Sequence, residues 1–355
     1  MTDTSTSLPA APGRVVLFGS GETSASGSRI FQNLAVRLAR PLRLAVLETP
    51  AGFEPNSAQV AGRVAEFLRA RLQNEKPEVT VVPARRRGTP FSPDAPDVAA
   101  PLQAASLLFM GAGSPTYAVR QLRASLAWQT CLAAHRQGAD LVLASAATLA
   151  VSALTLPVYE IYKVGEDPHW KPGLDLLAAY GLRLVFIPHW NNAEGGADLD
   201  TSHCFIGRER FDALRAQLPA DLTVVGLDEH TALVIDLAAG QCEVQGAGGL
   251  TLLRGAERVE WASRAQFPLS VLGQAQVPAR PAGVPEAVWN AVARARQAPA
   301  VDAQTPEAVQ ALVAERAAAR LARDWPRADM VRGQLAALGW QVKDTPAGPV
   351  VERTG

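Results

Sequence analysis

The sequence has no net charge, few cysteines and no long apolar run, and each absence excludes a class of protein. The 34 basic residues balance the 34 acidic ones, so the overall charge attracts neither nucleic acid nor an anionic membrane. No uncharged apolar stretch approaches the length needed to cross a bilayer, and the first dozen residues contain no apolar segment typical of a signal peptide. We therefore expect a cytoplasmic protein with no membrane partner.

The cysteines are too few and too scattered for a disulfide framework. Cys131, Cys204 and Cys242 are odd in number and lie far apart in the sequence. Disulfide-rich secreted domains contain an even, closely spaced set, so this pattern favours reduced thiols. The histidines near Cys204 also match no zinc spacing, which predicts that no metal ion is bound.

A glycine-rich turn near the N-terminus raises the question of a nucleotide cofactor. Gly19-Ser20-Gly21-Glu22-Thr23-Ser24 follows the first apolar run, as the phosphate-binding turn does in dinucleotide-binding folds. The fingerprint requires a third glycine at the position of Ser24, where glycine lets the helix pack closely on the strand. We therefore expect no cofactor and interpret the segment as a turn that crosses the sheet edge.

Short apolar runs alternate with amphipathic segments from Arg14 onward, at the spacing of βαβ units. Hydrophobic residues make up 48% of the 355 residues, which is enough for a sizeable core. The alternation predicts an α/β fold, a doubly wound and mostly parallel sheet closed by a hairpin at its edge. The predicted strands are residues 15–18, 42–47, 79–82, 107–110, 141–144, 184–187, 224–227, 233–236 and 250–253. The predicted helices include residues 58–74, 117–137 and 205–217.

The composition divides the chain into four parts. Residues 1–13 are interpreted as a disordered lead, 14–275 as the main domain, 276–305 as a proline-containing linker and 306–355 as a small helical module. Because the linker has few large apolar residues, we expect that truncation after residue 275 leaves a folded protein. The expected core of the module is Leu312, Leu321, Trp325, Leu335, Leu338 and Trp340.

Two polar residues stand at the carboxyl ends of predicted strands. Ser145 follows the run 141–144 and His189 follows the run 184–187, and such strand ends meet in one crevice of an open α/β sheet. With the carboxylate of Glu160 they would form a nucleophilic triad. A serine at a strand end is more often a helix N-cap, and the glycines of a nucleophile elbow are replaced by Leu143 and Ala147.

A second glycine-rich turn, Gly111-Ala112-Gly113-Ser114-Pro115, follows another predicted strand. Its backbone N–H groups could bind an oxyanion, because small residues let a ligand approach the backbone. The alternative is a tight strand–helix turn in which Ser114 caps the helix and Pro115 is its first residue. The two interpretations are compatible.

Residues 15 to about 253 resemble the peptidase E and cyanophycinase family of serine hydrolases, which have the class I glutamine amidotransferase-like fold. The resemblance is carried by Leu47-Glu48-Thr49-Pro50-Ala51-Gly52, Phe109-Met110-Gly111-Ala112-Gly113-Ser114, Ala144-Ser145-Ala146-Ala147-Thr148, Pro157-Val158-Tyr159-Glu160, Pro188-His189-Trp190 and Gly226-Leu227-Asp228-Glu229-His230-Thr231-Ala232. It departs from the family pattern at both elbow glycines and at Ser114, where the family has asparagine.

The resemblance implies a site and a substrate class. Ser145 falls on the nucleophile, His189 on the base and Glu160 on the triad acid, and the N–H groups of Gly113 and Ala146 would form the oxyanion hole. The substrate would be a small acidic peptide or a related amide, selected by an arginine. The residues expected to bind it are Ser114, Arg120, Asn191, Asn192, Glu194, Arg208 and Arg210.

The last fifty residues resemble the C-terminal helical module of cysteinyl-tRNA synthetases. The matching sequence segments include Asp324-Trp325, Ala328-Asp329, Leu338-Gly339-Trp340 and Asp344-Thr345-Pro346-Ala347-Gly348. The chain has no adenylation motif of those enzymes, so we do not expect a synthetase. Arginines in the module alternate with acids, which favours a packing or docking unit over tRNA contact.

The leading hypothesis is therefore serine-type hydrolysis of small peptides or related amides. The alternative is a catalytically silent binding protein on a hydrolase fold, linked to tRNA or translation through its C-terminal module. Whether the protein forms a homodimer is left open by the sequence.

Overall fold

The computed structural model describes residues 11–279, 281–297, 306–345 and 348–353. The strands of this part of the chain are β1 Val15–Phe18, β2 Arg43–Leu47, β3 Glu78–Val82, β4 Leu107–Met110, β5 Asp140–Ala144, β6 Leu154–Thr155, β7 Lys171–Pro172, β8 Leu184–Ile187, β9 Thr223–Leu227, β10 Thr231–Asp236, β11 Gln241–Gly246, β12 Leu250–Arg254, β13 Glu257–Trp261, β14 Gln266–Pro268, β15 Trp340–Thr345 and β16 Gly348–Arg353.

The helices lie mostly between these strands, as the alternating sequence pattern predicts. They are α1 Ala25–Ala35, α2 Ser57–Arg71, α3 Pro96–Gln103, α4 Pro115–Leu122, α5 Leu126–Arg136, α6 Ala146–Ala150, α7 Arg208–Ala216, α8 Glu286–Gln297, α9 Glu307–Leu321 and α10 Trp325–Ala337. In the part of the chain described, no helix is both long and apolar enough to cross a membrane.

An eight-stranded sheet forms the centre of the main domain, in the order β14-β11-β10-β1-β5-β4-β2-β3. Strands β1, β5, β4, β2 and β3 run parallel, and β10, β11 and β14 extend the sheet antiparallel beyond β1. Continuous apolar runs such as β1 are buried completely because helices cover both faces of the sheet. The predicted doubly wound, mostly parallel α/β fold is confirmed.

A second sheet of four strands, in the order β13-β12-β9-β8, departs from the expectation of a single sheet. Strands β8 and β9 are parallel to each other, and β12 pairs with β9 in the opposite direction. The hairpin expected at the sheet edge is therefore divided, because β10 and β11 join the central sheet while β12 and β13 join the second. His189 follows a strand of the second sheet, whereas Ser145 follows a strand of the first.

The long helix predicted over residues 117–137 is two helices, α4 and α5. The break falls at Ala124, whose φ of 56° lies in the left-handed region and ends the helical path. Ser125 then caps α5, since its side chain accepts a hydrogen bond of 3.1 Å from the N–H of Trp128. A serine that accepts a hydrogen bond from a nearby backbone N–H marks the start of a new helix. Hydrophobic periodicity does not reveal this boundary.

The segment predicted as a linker contributes to the core of the main domain, which corrects the sequence-based boundary. Val284, just before α8, and Val292, on α8, are 5% and 0% exposed and belong to the core cluster that also includes residues of α3 and α5. The side chain of Gln137 also donates a hydrogen bond of 3.1 Å to the Trp289 carbonyl. Residue 280 and residues 298–305 of the expected linker, like residues 1–10 of the expected lead, lie outside the described residues.

The C-terminal module has a separate core formed by α9, α10 and the β15–β16 hairpin. Its buried residues are Val309, Val313, Val331, Leu335 and Val351, with Leu312 and Trp340 packed partly against them. The prediction was wrong for Trp325 and Leu338, which are 55% and 52% exposed. Trp325 is the first residue of α10 and Leu338 follows its last, whereas the buried residues of α10 in this core, Val331 and Leu335, lie within the helix. The side chain of Leu321 is not among those that the structure describes.

Removal of α8 should destabilise the main domain. Truncation after residue 275 takes Val284 and Val292 out of the core, and each buried valine contributes about 1.5 kcal/mol or more. We expect the melting temperature to fall by about 5 °C or more relative to a chain that ends at residue 297. Equal melting temperatures for the two truncated proteins in a calorimetric scan would contradict this role of α8.

Candidate active site

Ser145 lies in a strained turn between β5 and α6. Its φ of 51° and ψ of −114° are rare for a residue with a side chain, and such strain persists where the surrounding structure imposes it. The neighbouring Thr148 is fully buried, and its hydroxyl lies 3.0 Å from the Phe18 carbonyl and 3.1 Å from that of Leu143. The turn therefore has the strand–turn–helix form of a nucleophile elbow, although the elbow glycines are absent.

The Ser145 hydroxyl faces His189 across the boundary between the two sheets. The Oγ atom lies 3.2 Å from Nε2 of the imidazole, within hydrogen-bond distance. His189 also has a positive φ, 52°, and its N–H donates a hydrogen bond of 3.1 Å to the Gly19 carbonyl at the end of β1. This bond joins the backbone after β8 to the central sheet, so the two sheets jointly position the pair.

The other imidazole nitrogen contacts Glu229, in the turn between β9 and β10. Nδ1 of His189 lies 2.9 Å from Oε1 of Glu229, and the same oxygen accepts a hydrogen bond of 2.9 Å from the Asn192 amide. Asn191 accepts a hydrogen bond of 2.8 Å from the N–H of Glu229. Burial alone would raise the pKa of Glu229, but the hydrogen bonds from His189 and Asn192, together with the charges of His189 and His230, hold the pKa below its ordinary value.

The expected triad acid, Glu160, is not the carboxylate that contacts His189 Nδ1. It begins a π-helical turn, Glu160–Val164, and its Oε1 atom lies 3.6 Å from Nζ of Lys171. The assignment that the family resemblance implied for Glu160 is wrong, because the Nδ1 atom of His189 contacts Glu229 instead. Glu229 lies 84 positions after Ser145 in the chain, yet the end of β9 lies beside the end of β8.

A signal for Glu229 was present in the sequence. Asp228 and Glu229 directly follow the apolar run 224–227, so they stand at the carboxyl end of a strand as Ser145 and His189 do. A rule that searched every strand end for a carboxylate would have found Glu229. The choice between it and Glu160 required the order of the strands, which periodicity does not supply.

The two residues expected to form an oxyanion hole lie beside Ser145. Gly113 and Ala146 line the same cavity as the Ser145 side chain. Gly113 has a φ of 141°, and a Cβ at this position would collide with the Pro50 carbonyl, so glycine is required here. Ala146 is the first residue of α6, where backbone N–H groups have no partner within the helix.

A cavity of about 480 Å³ opens next to Ser145 and His189. Its lining combines the glycine-rich turn, the start of α6, the π-helical turn and the loop after β8. The lining residues are Gly113, Pro115, Ser145, Ala146, Leu149, Val158, Tyr159, Tyr162, Lys163, His189, Glu194, Gly195, Leu199, Thr201, Cys204 and Phe205. The volume is in the range of small-molecule and peptide side-chain sites.

The residues expected to bind substrate divide into two groups. Glu194 lines the cavity, while Asn191 and Asn192 hold Glu229. The other four are not among the residues that line the cavity. Ser114 caps α4, Arg120 stacks on the Tyr117 ring at 5.2 Å, and Arg208 and Arg210 are exposed on α7.

A further carboxylate, that of Glu22, lies close to the site. Its Oε1 atom is 4.0 Å from the position a Cβ would take on Gly111. Burial raises the pKa of Glu22, and its own backbone N–H and the charges of His189 and His230 act in the opposite direction. The glycine-rich turn at residues 19–24, which we interpreted as a turn that crosses the sheet edge, therefore places the Glu22 carboxylate near the His189 imidazole.

The cysteines are buried free thiols, and none is placed as a second nucleophile. Burial raises the pKa of Cys204 to about 12, although this residue lines the cavity. A thiol so far from ionisation at neutral pH is a poor nucleophile. Over the described residues, no three His, Cys, Asp or Glu side chains are grouped to hold a metal ion.

The main domain resembles solved peptidases. A peptidase from an acI-B1 Actinobacterium superposes with a TM-score of 0.57 at 19% identity, covering 73% of this chain and 98% of that one. The main domain shares that fold. A proposed peptidase E protein from Listeria monocytogenes EGD-e matches at 14% identity with a TM-score of 0.41, covering 71% of this chain and 99% of that one.

The C-terminal module resembles a different family. Residues 302–348 match the cysteinyl-tRNA ligase anticodon binding domain. Cysteine–tRNA ligase 1 of Burkholderia lata is 52% identical over 48 residues, which are 14% of this chain and 10% of that enzyme. The ligase of Phenylobacterium zucineum is 58% identical over 40 residues, 11% of this chain and 8% of the enzyme. The chain thus spans about a tenth of the length of the curated relatives it matches.

Replacement of Glu229 should disable Ser145, whereas replacement of Glu160 should not. In Glu229→Gln the carboxylate that stabilises a protonated His189 is lost, so the rate of Ser145 labelling by a fluorophosphonate should fall about 10²- to 10⁴-fold. Glu160→Gln is the matched control, with an expected change below about threefold. A greater loss in Glu160→Gln than in Glu229→Gln would reverse the assignment of the acid.

Proposed function

We propose that the protein is a serine-type hydrolase of peptides or related amides. The observation that carries the proposal is the 3.2 Å contact between Ser145 Oγ and His189 Nε2, made by a serine in a strained strand–helix turn. A structural N-cap serine has no need of positive φ or of an imidazole partner. The fold shared with a known peptidase supports the proposal.

Each member of the triad has a distinct task in this mechanism. His189 Nε2 takes the proton as Ser145 Oγ attacks the amide carbon, and Glu229 holds the Nδ1–H and stabilises the imidazolium. The N–H groups of Gly113 and Ala146 bind the carbonyl oxygen as it becomes negative. His189 then protonates the leaving amine, and water releases the acyl group from Ser145.

The depressed pKa of Glu229 sets the expected pH behaviour. Because the pKa lies below its ordinary value, the acid stays ionised at neutral pH and holds the Nδ1–H. The contribution of this pair to stability is present above the unfolded pKa of glutamate and is lost as the pH falls through the lower folded value. At neutral pH Glu229 is therefore already in the carboxylate form that the proposed mechanism uses.

An activity-based probe tests the proposal directly. A fluorophosphonate should label the wild-type protein at Ser145, as judged by mass spectrometry of the labelled peptide, and Ser145→Ala should abolish labelling. Ser270→Ala is the matched control, since Ser270 is an exposed serine that is not part of the cavity lining. Absence of labelling in the folded wild-type protein would favour the silent binding protein instead.

A second proposal concerns the C-terminal module, and the anticodon binding domain match supports it. We propose that residues 306–355 contact transfer RNA through exposed arginines such as Arg323 and Arg332. Full-length protein should bind tRNA, with an affinity that falls steeply with salt, and the chain ending at residue 297 should bind about tenfold or more weakly. Equal binding by both chains would contradict the proposal and leave a packing or docking role for the module.

A further inference from the structure

The wall of the cavity beside Ser145 is largely apolar and aromatic. It is formed by Leu149, Val158, Tyr159, Tyr162, Leu199 and Phe205. Leu149 and Val158 are 1% and 6% exposed and belong to the core cluster beneath the second sheet, so this part of the wall is fixed by packing. A substrate side chain held against these six residues meets mainly carbon atoms.

Aromatic contacts connect this wall to the proposed catalytic pair. The ring of Phe205 lies 5.4 Å from the His189 ring and 5.9 Å from the Tyr162 ring, centroid to centroid. Tyr162 lies in the π-helical turn Glu160–Val164, a distortion often found at functional sites. The wall is therefore continuous with the imidazole, and a group bound against it lies beside the scissile bond.

The charges of the lining do not favour an acidic side chain. Among the described residues that line the cavity, Lys163 is the one lysine or arginine, and the lining also includes the carboxylate of Glu194. The Lys163 ammonium lies over the Tyr162 ring at 5.1 Å from its centroid. A carboxylate placed in such a site would lose water without gaining the fork of donors that an arginine supplies.

Two large apolar residues at the cavity are exposed and available to a ligand. Leu199 is 51% exposed and Tyr159 is 41% exposed, although both line the cavity. An apolar side chain of a substrate would cover them and remove their surface from water, which is favourable. These two exposed residues line the same cavity as the buried Leu149 and Val158.

We propose that the substrate has an apolar or aromatic residue on the acyl side of the scissile amide, held against this wall. This specificity rests on the proposed function, since it uses the same Ser145. It differs from the acidic specificity implied by the family resemblance, because the arginines expected to select a carboxylate do not line the cavity. The acyl side is assigned because Ser145, Ala146 and Leu149 all belong to the turn and helix α6 that hold the acyl carbon.

Protection from labelling tests the specificity without knowledge of the natural substrate. Phenylalanine, leucine and aspartate boronic acids each form an adduct with an activated serine, and each is tested for protection of Ser145 from a fluorophosphonate. The phenylalanine or leucine compound should protect at a concentration about 10- to 100-fold below that of the aspartate compound. Matched aminoacyl amides with a fluorogenic leaving group should rank in the same order by kcat/KM. Equal or better protection by the aspartate compound would overturn the proposal.

A substitution in the wall provides an independent check. Leu199→Asp places a charge in the cavity at a half-exposed loop position, so kcat/KM for the phenylalanine and leucine amides should fall about tenfold or more. Val164→Asp is the matched control, because Val164 is 73% exposed on the adjoining π-helical turn and is not among the lining residues. Equal effects of the two substitutions would show that the apolar wall does not bind substrate.

Failure of this proposal is distinguishable from failure of the proposed function. If Ser145 is labelled and the aspartate compound protects it best, the proposed hydrolase function stands and only the apolar specificity is overturned. A folded protein that no fluorophosphonate labels and that cleaves none of the amides would overturn both.

Discussion

The strained backbone of Ser145 is the constraint on which the site depends. A positive φ at a residue with a side chain costs on the order of 1–3 kcal/mol, and the surrounding packing must supply that energy. Here β5 is fully buried, the Thr148 hydroxyl lies within hydrogen-bond distance of the Phe18 and Leu143 carbonyls, and the N–H of Ala147 donates a hydrogen bond of 3.3 Å to the Gly111 carbonyl. These contacts hold the turn without the flanking glycines of the usual elbow, and they direct the hydroxyl towards His189.

The proposed triad is distributed over two sheets, so its geometry depends on how they meet. Ser145 belongs to the central sheet, whereas His189 and Glu229 follow neighbouring parallel strands of the second sheet. The hydrogen bond from the His189 N–H to the Gly19 carbonyl crosses between them. Asn191 and Asn192 then fix Glu229, so the loop after β8 supplies both the imidazole and the groups that orient its acid.

The main domain extends further along the chain than the change in composition at residue 276 predicts. Proline and alanine dominate from residue 276, yet α8 buries Val292 against α3 and α5. A helix needs only one apolar stripe to dock, so two well-placed valines outweigh a polar and proline-rich composition. The module after residue 306 packs around its own small valine-rich core, in keeping with a resemblance to a family unrelated to the main domain.

The sequence by itself determined the α/β class, most strand positions and the pairing of Ser145 with His189 as candidates. Those inferences depend on local patterns: an apolar run marks a buried strand, and a polar residue at its end marks the edge where ligands bind. Only the tertiary structure decided that Glu229 rather than Glu160 holds the imidazole, that β8 and β9 form a second sheet, and that the cavity wall is apolar. These features arise from contacts between residues far apart in sequence, and the spacing along the chain carries no information about which strands become neighbours.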